Sequence, residues 1–172
     1  MLIDAMEFAY TFFQLARHAA LSGFEPTALY QVTRGLLQQV REQGAIAIEL
    51  PESQVQALSP DVSDLLRRCS AAPRRRAVHV SSEAHSLLDL CLLAIDVIEQ
   101  LWPAEVAAVQ SLGYSMHNIP ALIRSGGFSR ESFEFCFRIV AQHWEVIPQA
   151  LRQRLCALAG INPERAEELI KQ

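Results

Sequence analysis

The stretch SEAHSLLDLCLLAIDVIEQLW, residues 82–102, decides the fold class of this chain. On a helix, one stripe roughly 100° wide holds most of its polar side chains, with Leu93 between them. The stripe consists of Ser82, His85, Ser86, Asp89, Asp96 and Gln100. Leucine, isoleucine, valine, alanine and cysteine cover nearly all of the remaining surface. A helix with so little polar surface is buried on most sides, so we expect it to lie at the centre of an all-α protein.

The same helical pattern continues on both sides of this stretch. Residues 2–21 are apolar except along one narrow arc and at Arg17, which predicts a first helix that ends near Gly23. Pro26 opens a second helix, which ends at Gly44. Later helix starts are marked by proline or by a capping serine or asparagine, at Pro60, Pro103, Ser129, Pro148 and Asn162. No linker divides the chain, so the sequence predicts one compact helical domain over residues 1–172.

Two short apolar stretches interrupt the helical pattern. Residues 45–50 (AIAIEL) and 76–80 (RAVHV) have a β-like composition, although short apolar runs do not separate strand from helix. They would pair as one small two-stranded β-ribbon. The fold expected from the sequence is therefore a bundle of six to eight helices, some of them short or proline-kinked, with room for one such ribbon.

The composition and the net charge of the chain argue against a nucleic-acid-binding function. Hydrophobic residues make up 51% of the chain, and the net charge is −4. A nucleic-acid-binding protein usually carries a basic surplus, so nucleic acid is not an expected partner. Almost all basic residues are arginines, with Lys171 as the exception, which is typical of a bacterial protein from a GC-rich genome.

The N-terminus and the cysteines indicate a cytoplasmic protein. Asp4 and Glu7 stand where a secretory signal would be basic or apolar, and no apolar run is long enough to cross a membrane. The four cysteines are far apart and have neither metal nor redox spacing. We expect buried, reduced thiols at Cys69, Cys91, Cys136 and Cys156.

The sequence GYSMHNIPALI, residues 113–123, holds the first candidate site. Pro120 lacks an amide hydrogen and its ring clashes with the carbonyl of Met116, so a helix break is expected at His117 and Asn118. Ile119 is expected to leave helical geometry, and carbonyls near residues 115–117 lose their partners, one of which His117 can bond instead of facing solvent. The break is either plain helix punctuation or a way to present Tyr114, His117 and Asn118 to a partner. Both interpretations remain open at this point.

A local resemblance accompanies this stretch. His117-Asn118-Ile119-Pro120, followed by Ala121, resembles a string found in small uncharacterised bacterial helical proteins. Such proteins are associated with accessory genes, some of them thought to neutralise toxins. The resemblance covers about ten residues and implies an interaction role, without implying an activity.

A second candidate is Arg138-Ile-Val-Ala-Gln-His143, which resembles the core motif of HEPN ribonucleases. In that family the histidine would act as acid or base and the arginine would steady the phosphate. The polar residue that usually follows the arginine is replaced by Ile139. On a regular helix an offset of five residues also turns the two side chains about 140° apart. A composite site would then need a helix end or a second subunit.

A cluster of polar residues on the helix of residues 82–102 has both a functional and a purely structural interpretation. His85, Asp89 and Asp96 share one helix face, where they could bind a metal or form an ion pair, but the expected state is a solvated polar stripe. The paired Glu-x-x-His motifs of helical metal sites are missing.

The basic tripeptide Arg74-Arg75-Arg76 follows Pro73. It would meet phosphate or an acidic partner, or lie in an exposed loop without a role.

No common catalytic or nucleotide-binding motif is present. We therefore expect a protein-binding module without cofactor or metal, most concretely one that neutralises a basic toxin by covering it. An endoribonuclease that uses Arg138 and His143 is the alternative. An oligomeric structural subunit is the third candidate.

Overall fold

The computed structural model describes residues 1–74, 78–126 and 129–170. Its regular elements are, in order, β1 Leu2–Asp4, α1 Ala5–Arg17, α2 Pro26–Gln43, β2 Ala47–Glu49, α3 Glu52–Gln56, α4 Pro60–Arg68, α5 His85–Leu101, α6 Val106–Met116, α7 Ile119–Ser125, α8 Arg130–Ala141, α9 Gln149–Ala159 and α10 Pro163–Ile170. The all-α fold class predicted from the sequence is confirmed. Several helices are short, as expected, and α3 has only 5 residues.

Helix α5 lies at the centre of the bundle, as its sequence predicts. Helices α2, α6, α7, α8 and α9 all pack against it. Leu93, which interrupts the polar stripe, is fully buried, and so are Leu87 and Ile95. Helix α1 is a second core helix, with Phe8 and Phe12 fully buried. Because α2, α6 and α7 contact both α1 and α5, these five helices share one hydrophobic core.

A small two-stranded ribbon is present and includes residues 47–49 as predicted, but the strand that pairs with them is Leu2–Asp4 and not residues 76–80. β2 pairs antiparallel with β1 at the N-terminus, in the register Ile3 with Ile48. Of residues 76–80, His79 forms only an isolated bridge with Ala45, and residues 75–77 lie outside the described residues. The expectation of a helix from residue 2 was wrong for the first three positions, because a three-residue strand fits a helical arc equally well.

Some predicted helix ends are confirmed and others were wrong. Helix α1 ends at Arg17 rather than near Gly23, and α6 begins at Val106 rather than at Pro103. Ser129 accepts a hydrogen bond from the Ser132 amide at the start of α8, and the two residues form a capping box. Asn162 accepts hydrogen bonds from two amides of α10. Gly44 and Gly160 end α2 and α9 with left-handed φ values of 68° and 66°, a conformation that glycine adopts without steric strain.

The four cysteines are free and buried, as expected. Burial raises the pKa of Cys69 to about 11 and raises those of Cys91, Cys136 and Cys156 as well. These thiols are therefore packing groups with little thiolate character at neutral pH.

A helix needs about 20 mostly apolar residues to cross a membrane. Within the described ranges, no helix combines the length and the apolar composition needed to cross a bilayer.

Candidate protein-interaction surface

Gly113 brings α6 into backbone contact with α1. A Cβ atom at this position would lie 2.4 Å from the backbone nitrogen of Arg17 and 2.6 Å from the carbonyl oxygen of Phe13. Only glycine allows two helix backbones to approach so closely. Gly113 opens the stretch that the sequence analysis selected, and its position therefore fixes how the next residues of α6 stand beside α1.

Directly after Gly113, an exposed aromatic cluster bridges the two helices. The guanidinium of Arg17 lies 4.9 Å from the centre of the Tyr114 ring, a cation–π distance. The His117 ring lies 5.6 Å from the Tyr114 ring and 6.3 Å from the Tyr10 ring. Tyr114 nevertheless remains 60% exposed and Tyr10 40% exposed. We call Tyr10, Arg17, Tyr114 and His117 the aromatic platform.

The helix break at residues 117–118 supports the platform. The ring nitrogen Nδ1 of His117 hydrogen-bonds the backbone oxygen of Tyr114, one residue before the carbonyls that were expected to lose their partners. Asn118 is exposed and occupies the N-cap position of α7, but its side chain makes no capping hydrogen bond. Ile119 was expected to leave helical geometry, yet it is the first residue of α7. The break is therefore mild, and it leaves His117 beside Tyr114.

An ion pair ties the start of α1 to α7 in the same part of the molecule. The carboxylate of Asp4 accepts hydrogen bonds from the amides of Met6 and Glu7, which caps α1. Its two oxygens also lie 3.1 and 3.0 Å from the Arg124 guanidinium. Asp4 is only 8% exposed. No local pattern predicts this long-range pair, because its two residues are 120 positions apart.

The two carboxylates of the polar stripe on α5 pair with arginines of neighbouring helices, so the stripe is only partly solvated. Asp96 lies 2.6 Å from Arg34 of α2 and also pairs with Arg154 of α9. Asp89 pairs with Arg41 of α2 at 3.0 Å. These ion pairs tie α5 to α2 and α9. Among the described residues, no group of three or more side chains is arranged to hold a metal ion.

Near this stripe, Tyr30 has a buried hydroxyl without a hydrogen-bond partner among the described residues. Burial, and secondarily the charge of Glu99, raises its pKa to about 12. The tyrosine therefore stays neutral at any ordinary pH and serves as a core residue.

Arg138 and His143 face different neighbours. His143 follows the end of α8, and its Nε2 lies 3.4 Å from the hydroxyl of Ser115 on α6. Burial lowers the pKa of His143, which favours the neutral form of the ring. Arg138 is exposed and lines a groove on the other side of α8. Within one chain, these contacts do not assemble a composite site.

The groove beside Arg138 separates α8 from the corner between α9 and α10. It has a volume of about 660 Å³, and its floor includes the Phe133 and Phe137 rings, whose centres are 6.2 Å apart. Leu158 and Ile161 line the opposite wall. The groove is an open apolar depression, with charged groups of α8 at its rim.

Of the basic tripeptide, the structure describes only Arg74, which is exposed. Arg75 and Arg76 lie outside the described residues. In the part of the chain that is described, no hydrogen bond, ion pair or ring contact joins Arg74 to the aromatic platform.

No protein-family model matches the chain, and no curated protein or solved structure shows significant similarity to it.

Of the four platform residues, Tyr114 and His117 were candidates from the sequence, whereas Tyr10 and Arg17 were not. The signal that could have found them is Gly113, because a glycine inside an apolar helix often marks close approach by another backbone.

Proposed function

We propose that this protein binds another protein through the aromatic platform. The observation that carries the proposal is Tyr114, which is 60% exposed and yet fixed between Arg17 and His117. A large exposed ring with ordered neighbours loses little conformational freedom when a partner covers it. Tyrosine and arginine are also enriched among the residues that dominate binding energy at protein interfaces.

The close packing of α1 and α6 supports this role. Because their backbones meet at Gly113, the platform stands on a rigid base and needs no rearrangement before binding. Asn118 extends the same surface with an exposed amide, which can donate and accept hydrogen bonds at the edge of an interface. The partner surface would therefore offer a pocket for Tyr114 and carbonyl or carboxylate oxygens for Arg17.

The partner is a basic protein in this proposal. The net charge of −4 would attract such a partner over long range and accelerate association. The most concrete form is toxin neutralisation in a bacterial cytoplasm, in which the platform covers the working surface of the toxin. That form rests on the local His117-Asn118-Ile119-Pro120 resemblance.

The endoribonuclease remains the alternative candidate. It requires Arg138 and His143 to act on one phosphate, whereas the two side chains contact different neighbours. Substitution of His143 by alanine distinguishes the two candidates. Loss of an RNA-cleaving or growth-arrest activity in that variant would favour the ribonuclease and contradict the binding module.

The platform is tested by comparing two exposed aromatic residues. Tyr114→Ala removes the centre of the platform, whereas Phe135→Ala removes a ring of similar exposure on α8. The partner is obtained by affinity purification from the native host, and its dissociation constant is measured by calorimetry. We expect Tyr114→Ala to weaken binding about thirtyfold, because central interface residues contribute about 2 kcal/mol or more.

Phe135→Ala is the matched control and should leave the affinity for the partner unchanged. The proposal fails if no stoichiometric partner is recovered. It also fails if the partner binds Tyr114→Ala as tightly as the unmodified protein.

A further inference from the structure

The outer face of α8 carries a second surface, separate from the aromatic platform. Glu131, Phe135, Arg138 and Gln142 are all exposed and follow one another at intervals of four, three and four residues. This is the spacing of a helix seam that packs against another helix. Phe135 is 65% exposed, more than Tyr10, Val106 or Tyr114. A single exposed apolar ring is common on protein surfaces, so the charges on either side of Phe135 are what distinguish this face of α8.

The seam carries a negative charge near one end and a positive charge near the other. When two copies of the helix run antiparallel, opposite charges therefore lie next to each other. Glu131 lies in the first turn of α8 and Arg138 in the last. Neither has an ion-pair partner in the part of the chain that the structure describes, whereas neighbouring Arg130 and Glu134 pair with each other at 3.4 Å. One free negative charge and one free positive charge therefore flank Phe135.

We infer that α8 forms an antiparallel contact with α8 of a second copy of this chain. A twofold axis at Phe135 places the two Phe135 rings against each other, because an isologous interface brings each residue to its own symmetry mate or to a reciprocal pair. In that register residue 131 faces residue 139 of the partner, only about 1.5 Å along the axis from residue 138. Each Glu131 then meets an Arg138 of the other copy.

The contact has one aromatic pair at its centre and an ion pair on each side. Two exposed helices of this length bury a modest area, so the dimer is weak and depends on concentration. The surface differs from the aromatic platform, and the inference does not rest on the proposed function.

Charge reversal tests the contact. Glu131→Arg and Arg138→Glu are made singly and together, and the dimer dissociation constant is measured by sedimentation velocity over a wide concentration range. Each single reversal turns two attractive contacts into repulsive ones, so we expect dimerisation about tenfold weaker or more. The double variant E131R/R138E restores both pairs and should return to the affinity of the unmodified chain.

Glu134→Arg is the matched control, since it makes the same charge change on the same helix but away from the seam. It should leave dimerisation unchanged, and Phe135→Ser should abolish it. Circular dichroism confirms that each variant keeps its helix content.

The inference is overturned by a chain that stays monomeric at its highest attainable concentration. It is equally overturned by a dimer that the single reversals do not weaken, or by a double variant that remains as weak as the single ones.

Discussion

Two parts of the bundle lie beside the same central helix but are packed differently. One is the contact between α1 and α6, called the α1–α6 seam below, and the other is the side formed by α8 and α9. At the seam the two backbones touch at Gly113, and the side chains above it are held by ring contacts. On the other side, a groove of about 660 Å³ separates α8 from the α9–α10 corner, and Phe135 stands in solvent. Close backbone packing fixes the surface residues above it, whereas a loosely covered helix leaves apolar surface exposed.

The largest effect is expected from a methyl group at the seam. Gly113→Ala places a carbon within 3 Å of backbone atoms of Phe13 and Arg17, which cannot move away without separating the helices. We expect a loss of about 3 kcal/mol or more in unfolding free energy, at the upper end of overpacking effects. Urea denaturation followed by circular dichroism measures it.

Gly35→Ala provides the control for that substitution. Gly35 lies inside α2, and a Cβ atom there meets nothing within 4 Å. We expect it to stabilise the protein by about 0.5–1 kcal/mol, because alanine has less freedom to lose on folding. Equal destabilisation by both substitutions would mean that backbone contact at the seam is not the cause.

Loss of an ion pair should also destabilise the protein more on the α1 side than on α8. The difference should be smaller than the one between the two glycine substitutions. Asp4→Ala removes the cap of α1 and leaves Arg124 without its main partner, so we expect a loss of about 2 kcal/mol. Glu134→Ala removes an exposed pair on α8 and should change stability by less than about 0.5 kcal/mol. Thermal unfolding of both variants measures the difference, and similar losses would contradict it.

The smallest effect concerns His143, which joins the two sides through Ser115. Because burial lowers its pKa in the folded state, the unfolded chain binds more protons below about pH 6.5. The free energy of unfolding should therefore fall as the pH drops through that value. Above it His143 is neutral in both states, so it adds nothing to the pH dependence of stability. His143→Gln should make the decline between about pH 7 and 5.5 shallower. An unchanged slope would mean that the ring titrates equally in both states.

Local patterns predicted much of this architecture. Helix α5, the capping residues Ser129 and Asn162, and the buried thiols follow from periodicity and residue type, which act over a few residues. The strand Leu2–Asp4 could not be predicted, because its pairing with β2 is set by contacts far along the chain.

The candidate surface was predictable only in part, for the same reason. Tyr114 and His117 stand out beside Pro120, but Tyr10 and Arg17 join them only through the packing of α1 on α6. The pattern of apolar and polar residues within one segment does not predict which residue about a hundred positions away will contact it. The Asp4–Arg124 pair escaped prediction in the same way.

Hydrogen exchange of the free protein tests most directly whether the platform is preformed on a rigid seam. We predict that backbone amides of α1 and of α6 around Gly113 exchange as slowly as those of α5, while amides of α8 and α10 exchange faster. Exchange in α1 and α6 as fast as in α10 would contradict the account, because the platform would then have no rigid base before a partner binds.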